Sequence, residues 1–269
     1  MYALTEPSTD VVTHLETEGY VLLRNVLPPE AVADFSLAVD DVWRRHRDTA
    51  PRRGVTPLHL LAFLNEDRRF LDLLDQPRVL TTIVDVLGPN IFMYHCHLDV
   101  HPPEDAPSHR WLWHQDGGIQ NRDVETDPRP RLSLKVAYFL TDLRDPGRGN
   151  FLVVPGSHVR NTLPRPADDR LPGAIPVLAA PGDVVVFDRR LWHMRGPNHS
   201  DRVRKALFFA YTYRWIRPRD DLDLDASIAE HLTPAQRQLV GLDDATTFDR
   251  WMPDHTALAV RDLVGEGGP

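Results

Sequence analysis

The spacing of apolar residues changes once along this chain, near Gly88, and the change separates two kinds of structure. Before it, the spacing is mostly helical. Residues 11–20 (VVTHLETEGY) carry apolar side chains at intervals of three and four and reach a stop at Gly19. YVLLRNVL (20–27) predicts a short strand. Pro28-Pro29-Glu30 then opens a helix to about Arg47, with proline near the first helical position and an acidic residue in the first turn. The leucine-rich stretch from Pro57 to Gly88 predicts further helix.

After Gly88 the period becomes two, in runs separated by Pro, Gly and Asp. In YHCHLDVH (94–101) one face is His95, His97, Asp99 and His101, and the other is Tyr94, Cys96, Leu98 and Val100. In RLSLKVAYFL (131–140) Arg131, Ser133, Lys135, Ala137 and Phe139 oppose Leu132, Leu134, Val136, Tyr138 and Leu140. In RKALFFAYTYR (204–214) Arg204, Ala206, Phe208, Ala210, Thr212 and Arg214 share a face. A strand with one polar and one apolar face packs on helices on one side and meets water or a cavity on the other. These runs therefore predict a sheet around a polar lumen, covered outside by the N-terminal helices. PGDVVVF (181–187) is a turn entering an apolar strand. From about residue 217 helix returns, with LTPAQRQLVG and TALAVRDLVG both closing on glycine. The expected organisation is one domain over 1–269: mainly helical support over 1–88, a β core over 89–216 and a helical tail over 217–269. Proline-rich stretches at 102–107, 126–130 and 164–176 read as long loops, which in a compact domain are usually functional.

Composition narrows the function classes. A net charge of −8 disfavours phosphate backbones and anionic lipid, so no nucleic-acid or membrane partner is expected. The single cysteine, Cys96, excludes an intrachain disulfide and a cysteine-based zinc site and suits a reducing cytoplasm. Residues 1–10 have neither the basic nor the apolar region of a signal peptide, and no apolar run reaches membrane-spanning length. A monomer or homodimer is expected.

The chemistry centres on His114-Gln115-Asp116. Residues i and i+2 on extended backbone point the same way, so an imidazole and a carboxylate can grip one ion. His193, after the strand GDVVVF and the segment DRRLWH, would supply a third ligand. Two histidines and a carboxylate on one face of a metal leave positions open for substrate, co-substrate and O2, the arrangement of non-haem Fe(II) oxygenases. Arg204 opens the next strand, and its planar guanidinium suits the distal carboxylate of 2-oxoglutarate, whose other end chelates the metal.

With these residues in place the chain resembles the phytanoyl-CoA dioxygenase family of Fe(II)/2-oxoglutarate oxygenases. The resemblance runs through EGYVLLRNVLPPEAV (18–32), WHQD (113–116), LSLKVAYFLTDLRDPGRGNFLVVPGSH (132–158), PGDVVVFDRRLWHMRGPNHSDRVRKAL (181–207) and PAQRQLVG (234–241). It implies a mainly β fold with flanking helices around a double-stranded β-helix (jelly-roll, cupin-like) core. It also implies iron at His114, Asp116 and His193, and 2-oxoglutarate anchored by Arg204. The implied reaction is oxidative decarboxylation of 2-oxoglutarate to succinate and CO2, coupled to oxidation of a substrate C–H bond. Related halogenases carry a small residue where Asp116 stands, so the carboxylate argues against halogenation. Lys135 departs from the family pattern, in which tryptophan is common. Sharing the lumen face with Ser133, it is a candidate, with Ser133 and His97, for the co-substrate pocket.

Other residues have competing readings. His158, in VPGSH, is the alternative third ligand, with a turn or supporting hydrogen-bond role against it. His109 and His199 read as loop residues. Trp111, Trp113 and Trp192 read as packing at the barrel rim, with Trp111 also available to stack on substrate. Arg202 rivals Arg204. The expected substrate is a small molecule of specialised metabolism, and the arginines Arg122, Arg129, Arg131 and Arg190 favour a polar one. Hydroxylation, desaturation and ring closure are left open. The alternative to an oxygenase is a non-catalytic or isomerase-type cupin-like metal-binding protein.

Overall fold

A computed structural model describes residues 9–49, 57–104, 113–163 and 171–264. The N-terminal part contains helix α1 (Thr9–Glu18), strand β1 (Tyr20–Leu23), helix α2 (Pro29–Thr49), strand β2 (Leu58–Leu61) and helix α3 (Pro77–Leu87). Strand β3 (Ile91–His101), the short helix α4 (Gln120–Asp123), and strands β4 (Ser133–Phe139), β5 (Phe151–Val153), β6 (Ile175–Pro176), β7 (Val184–Asp188), β8 (His193–Arg195) and β9 (Arg204–Tyr213) follow. Four short helices close the described chain: α5 (Ala226–Ala229), α6 (Pro234–Leu239), α7 (Thr247–Trp251) and α8 (Ala259–Val264).

The strands form two antiparallel sheets, one ordered β1-β7-β4-β9-β3-β2 and a smaller one ordered β6-β5-β8. This is the expected jelly-roll. The large sheet is two-faced, as the period-two runs require. Leu98, Val136, Val186 and Phe209 point outward into one apolar cluster with Leu15 of α1, Val39 of α2 and Ile83 of α3. Ala137, Phe139, Phe187 and Phe208 point inward and meet Phe151 and Val153 of the small sheet in a second cluster. The inner cluster closes one part of the space between the sheets and leaves the rest to polar side chains.

One expected helix is partly strand. Residues 58–61 (LHLL) form β2, paired to β3 from Leu58↔Val100 to Leu61↔His97, and two 3-10 turns (Phe63–Glu66 and Arg68–Leu73) precede α3. A short leucine-rich run fits either period, and here the open edge of β3 recruits it. The helices at the other end stop where glycine and capping residues predict. Thr233 and Gln236 form a reciprocal capping box at the start of α6, and Gly241 beyond it has φ +74°.

Candidate metal centre

Three of the expected residues converge. One donor atom from each of His114, Asp116 and His193 lies within 4.8 Å of the others. His114 and His193 come from distant parts of the sequence and form an isolated antiparallel bridge, His114 N donating to His193 O (3.1 Å) and His193 N to His114 O (3.0 Å). Asp116 is fixed by its own backbone, whose N–H donates to Arg189 O (2.8 Å). Its two oxygens face both imidazoles, with Oδ1 3.8 Å from His114 Nε2 and Oδ2 3.8 Å from His193 Nε2.

The protonation of the group suits a cation. His193 Nδ1 lies 2.8 Å from the carbonyl of Leu191, which only accepts, so the proton sits on Nδ1 and the Nε2 lone pair faces Asp116. Burial, with His114 nearby, pushes the His193 imidazole down to about 3, so it is neutral at physiological pH. Burial alone would raise the Asp116 carboxyl, but Lys135, His193 and His114 hold it well below the usual carboxylate range. Its Oδ2 is buried without a hydrogen-bond partner. Two imidazoles and an anionic carboxylate with an unsatisfied oxygen are the donor set of a divalent metal with open positions.

The donors face a cavity of about 210 Å³ between the sheets. The sequence-predicted neighbours sit around it at different depths. Lys135 Nζ is 3.0 Å from Asp116 Oδ1, so the lysine belongs to the metal end. Ser133 lies beyond it on β4, its Oγ 3.2 Å from Tyr94 Oη. Arg204 lies toward the other end of the sheet, almost fully buried between the rings of Phe139 and Phe208. Its Nη1 is 2.6 Å from Asp99 Oδ2, and Arg195 reaches the same oxygen at 3.3 Å. Asp99, on the polar face of β3 with His95, His97 and His101, borders the cavity. Burial would raise its carboxyl, and His59, Arg204 and Arg195 hold it well below its ordinary range. Burial lowers the Arg204 guanidinium to about 10, which still leaves it charged at neutral pH.

His95 and His97 form a line along the wall. His95 Nδ1 lies 2.8 Å from Asp220 Oδ2, and its Nε2 lies 3.1 Å from His97 Nδ1. A carboxylate only accepts, so His95 donates from Nδ1 and receives the His97 Nδ1–H at Nε2. The lone pair of His97 is then on Nε2. The His97 ring stacks on Phe208, with centroids 4.4 Å apart and planes 10° apart. Burial pushes both histidines down, His97 strongly. His101 sits at the strand end beside Glu104 rather than among the cavity residues.

The competing readings resolve differently. His158 Nε2 donates to Glu16 O (3.0 Å), tying the turn to α1, and His158 is outside the metal group. Trp113 and Trp192 pack with Val154 and Leu171. Arg202 is exposed, 70% for its side chain. Trp111 and His109 lie outside the described residues, as do residues 105–107 and 164–170 of the proline-rich loops. The arginines that favoured a polar substrate do other work. Arg131 joins Asp188 (2.6 Å) to Glu16 (2.5 Å), Arg190 holds Asp188 (2.7 Å), Arg129 holds Glu125 (2.6 Å), and Arg122 is exposed. Arg129, Arg131 and Arg190 are spent on anchoring loops because each has a carboxylate within reach. A larger cleft, about 450 Å³, is lined by Trp215, Arg217 and Trp251 and contains none of the metal donors.

Comparison with known proteins agrees with this geometry. The family model for phytanoyl-CoA dioxygenase (PhyH) matches residues 15–206. Dioxygenase cdmD of Talaromyces verruculosus is 23% identical over 264 residues, covering 87% of this chain and 84% of that protein. Among solved structures, the non-heme alpha ketoglutarate dependent carbocyclase SnoK from nogalamycin biosynthesis superposes with a TM-score of 0.59 at 24% identity, covering 77% of this chain and 84% of that one. HygX from Streptomyces hygroscopicus, solved with nickel and 2-oxoglutarate bound, gives 0.66 at 16% identity, covering 82% and 94%.

Proposed function

The chain belongs to the phytanoyl-CoA dioxygenase family, and from that premise we propose that this dioxygenase uses Fe(II) and 2-oxoglutarate to oxidise a C–H bond of a small, polar molecule of specialised metabolism. The observation that carries the reading is the convergence of His114, Asp116 and His193 on one point at the wall of a cavity that also holds Lys135, Arg204 and several histidines. When bound, iron and 2-oxoglutarate supply the oxidising chemistry, in which O2 is consumed, 2-oxoglutarate becomes succinate and CO2, and the substrate is oxidised.

The protein's own residues do the rest. His114, Asp116 and His193 hold the metal from one side. The Leu191 carbonyl keeps the His193 proton on Nδ1, so Nε2 stays available as a ligand. Lys135 stabilises the anionic form of Asp116. Arg204 binds the distal carboxylate of the co-substrate deep in the cavity, where Phe139 and Phe208 exclude water and strengthen the ion pair. His97 lines the space beside the metal, while Ser133, with its Oγ on Tyr94 Oη, stands outside the cavity lining. The polar character of the substrate is supported by His95, His97 and Arg219 at the cavity wall.

The test is succinate formation by purified protein, which is expected to require Fe(II), 2-oxoglutarate and O2 together. Product mass then separates the outcomes: gain of one oxygen for hydroxylation, loss of two hydrogens for desaturation or ring closure. Succinate formation that persists without added metal in metal-stripped protein would overturn the reading.

A further inference from the structure

Arg189 is a buried cation that forms no ion pair among the described residues. It is 4% exposed, and its Nε and Nη2 have no hydrogen-bond partner. The carboxylate next to it in sequence is already taken, since Asp188 is held by Arg131 and Arg190. Burying a guanidinium without an anion is costly, so a position that keeps one is a position where an anion arrives.

Its location says which side of the metal that anion occupies. Arg189 N donates to Ser133 O (3.3 Å), its carbonyl accepts from Asp116 N, and its guanidinium packs against Gly117. A Cβ on Gly117 would lie 2.5 Å from Arg189 Nη1, so the absence of a side chain there is what lets the arginine lie beside the metal ligand. Along β4 the order is then Arg189 at the level of Ser133, the metal group at the level of Lys135, and Arg204 with Asp99 toward Phe139. A co-substrate that chelates the metal and reaches Arg204 extends away from Arg189.

We propose that Arg189 anchors a carboxylate of the substrate itself, so that this enzyme acts on carboxylic acids. Nε and Nη2 form one edge of the guanidinium, and two parallel N–H groups match the two oxygens of a carboxylate. The inference rests on the oxygenase reading above.

The test uses the full chain loaded with Ni(II), titrated by calorimetry with benzoate and hexanoate and with the matching amides, with and without saturating 2-oxoglutarate. At least one acid is expected to bind tenfold or more tighter than its amide, and to go on binding when 2-oxoglutarate is saturating. Arg189→Gln is expected to weaken that acid tenfold or more, Arg189→Lys to restore part of the loss, and Arg122→Ala, at an exposed arginine, to change nothing. Because Arg189→Gln removes an uncompensated buried charge, its Tm should equal or exceed that of the parent. Acid and amide binding alike, displacement of the acid by 2-oxoglutarate, undiminished binding in Arg189→Gln, a fall in Tm that accompanies the loss, or no binding of either acid each overturns the proposal. Succinate formation is read in parallel. If the parent protein forms none, the oxygenase reading fails, while the acid–amide comparison and the Arg189→Gln titration still decide the role of the arginine.

Discussion

His114 and His193 exchange both backbone hydrogen bonds, so the two imidazoles are paired by main chain before any metal binds. The consequence is that side-chain replacement should leave the pairing intact. His114→Ala and His193→Ala are expected to fold with an unchanged far-UV spectrum and to lose metal affinity and succinate formation more than about 100-fold, since even a supporting partner of a ligand is worth 10- to 100-fold. Metal titration followed by turnover assays checks both. Full iron affinity in either variant would remove that residue from the ligand set.

Asp99 should matter most when the co-substrate is absent. It is the shared anion between Arg204 and Arg195. Asp99→Asn takes the anion from the buried Arg204 guanidinium, at an expected cost of about 3–5 kcal/mol. An added diacid supplies the missing charge, so 2-oxoglutarate should raise the Tm of the variant more than that of the parent. Thermal melts with and without 2-oxoglutarate read this directly.

Gly149 seats Arg204. A Cβ there would meet Arg204 Cδ at 2.7 Å, and the residue has φ +74°, a conformation other residues resist. Gly149→Ala is expected to destabilise the protein by about 1–3 kcal/mol and to raise KM for 2-oxoglutarate several-fold. The measurement is a denaturant midpoint beside steady-state kinetics.

Lys135 helps to keep Asp116 anionic as the pH falls. It is the first of the positive groups holding the Asp116 carboxyl down against burial. Lys135→Met should therefore raise that carboxyl, and the pH below which metal is released should move upward. Metal-binding isotherms across pH would show it, and an unmoved limb would argue that the lysine serves another group.

The buried histidines predict a second pH effect, on stability. His95 and His97 both have folded-state values lowered from the ordinary value of about 6.5, chiefly by burial. The unfolded chain then binds more protons below pH 6.5, so stability falls as pH drops through that point, by up to about 1.4 kcal/mol per pH unit for each histidine until it protonates in the folded state. The depressed carboxyls of Asp99 and Asp220 act only lower, with their contribution lost below about pH 4. Denaturant unfolding between pH 8 and pH 5, at about unit steps, should show the histidine limb. Replacing His97 with Gln should make it shallower, with His95, His158 and His193 carrying the rest.

Much of this was legible because long strands repeat their pattern. From His95 onward β3 alternates, as does β9, and Cys96, Leu98, Val100, Leu207 and Phe209 are in the outer core; Tyr94, expected on that face, is taken out of it by a bulge between Met93 and His95. The small sheet was not legible. β5, β6 and β8 have three, two and three residues, too few for a period to register. β2 was read as helix because four residues rich in leucine fit both periods and only the edge of β3 decides. At the site, His114, Asp116 and His193 were found by type and spacing. The pairing of Asp99 with Arg204 was hidden because charge partners across a sheet depend on register, which no local pattern encodes. Arg189 was passed over beside Asp188 and Arg190, since three adjacent charged residues give no sign of which one is left without a partner.

The two-faced strands bear on how such a chain changes over generations. Outward residues such as Leu98, Val136 and Phe209 are held jointly by sheet and helices, so an alteration there must suit both layers at once. Inward residues such as His97 and Arg219 border the cavity, where a replacement has no helical layer to match. The same barrel wall therefore sets two kinds of demand, joint packing behind the sheet and fit to a ligand within it.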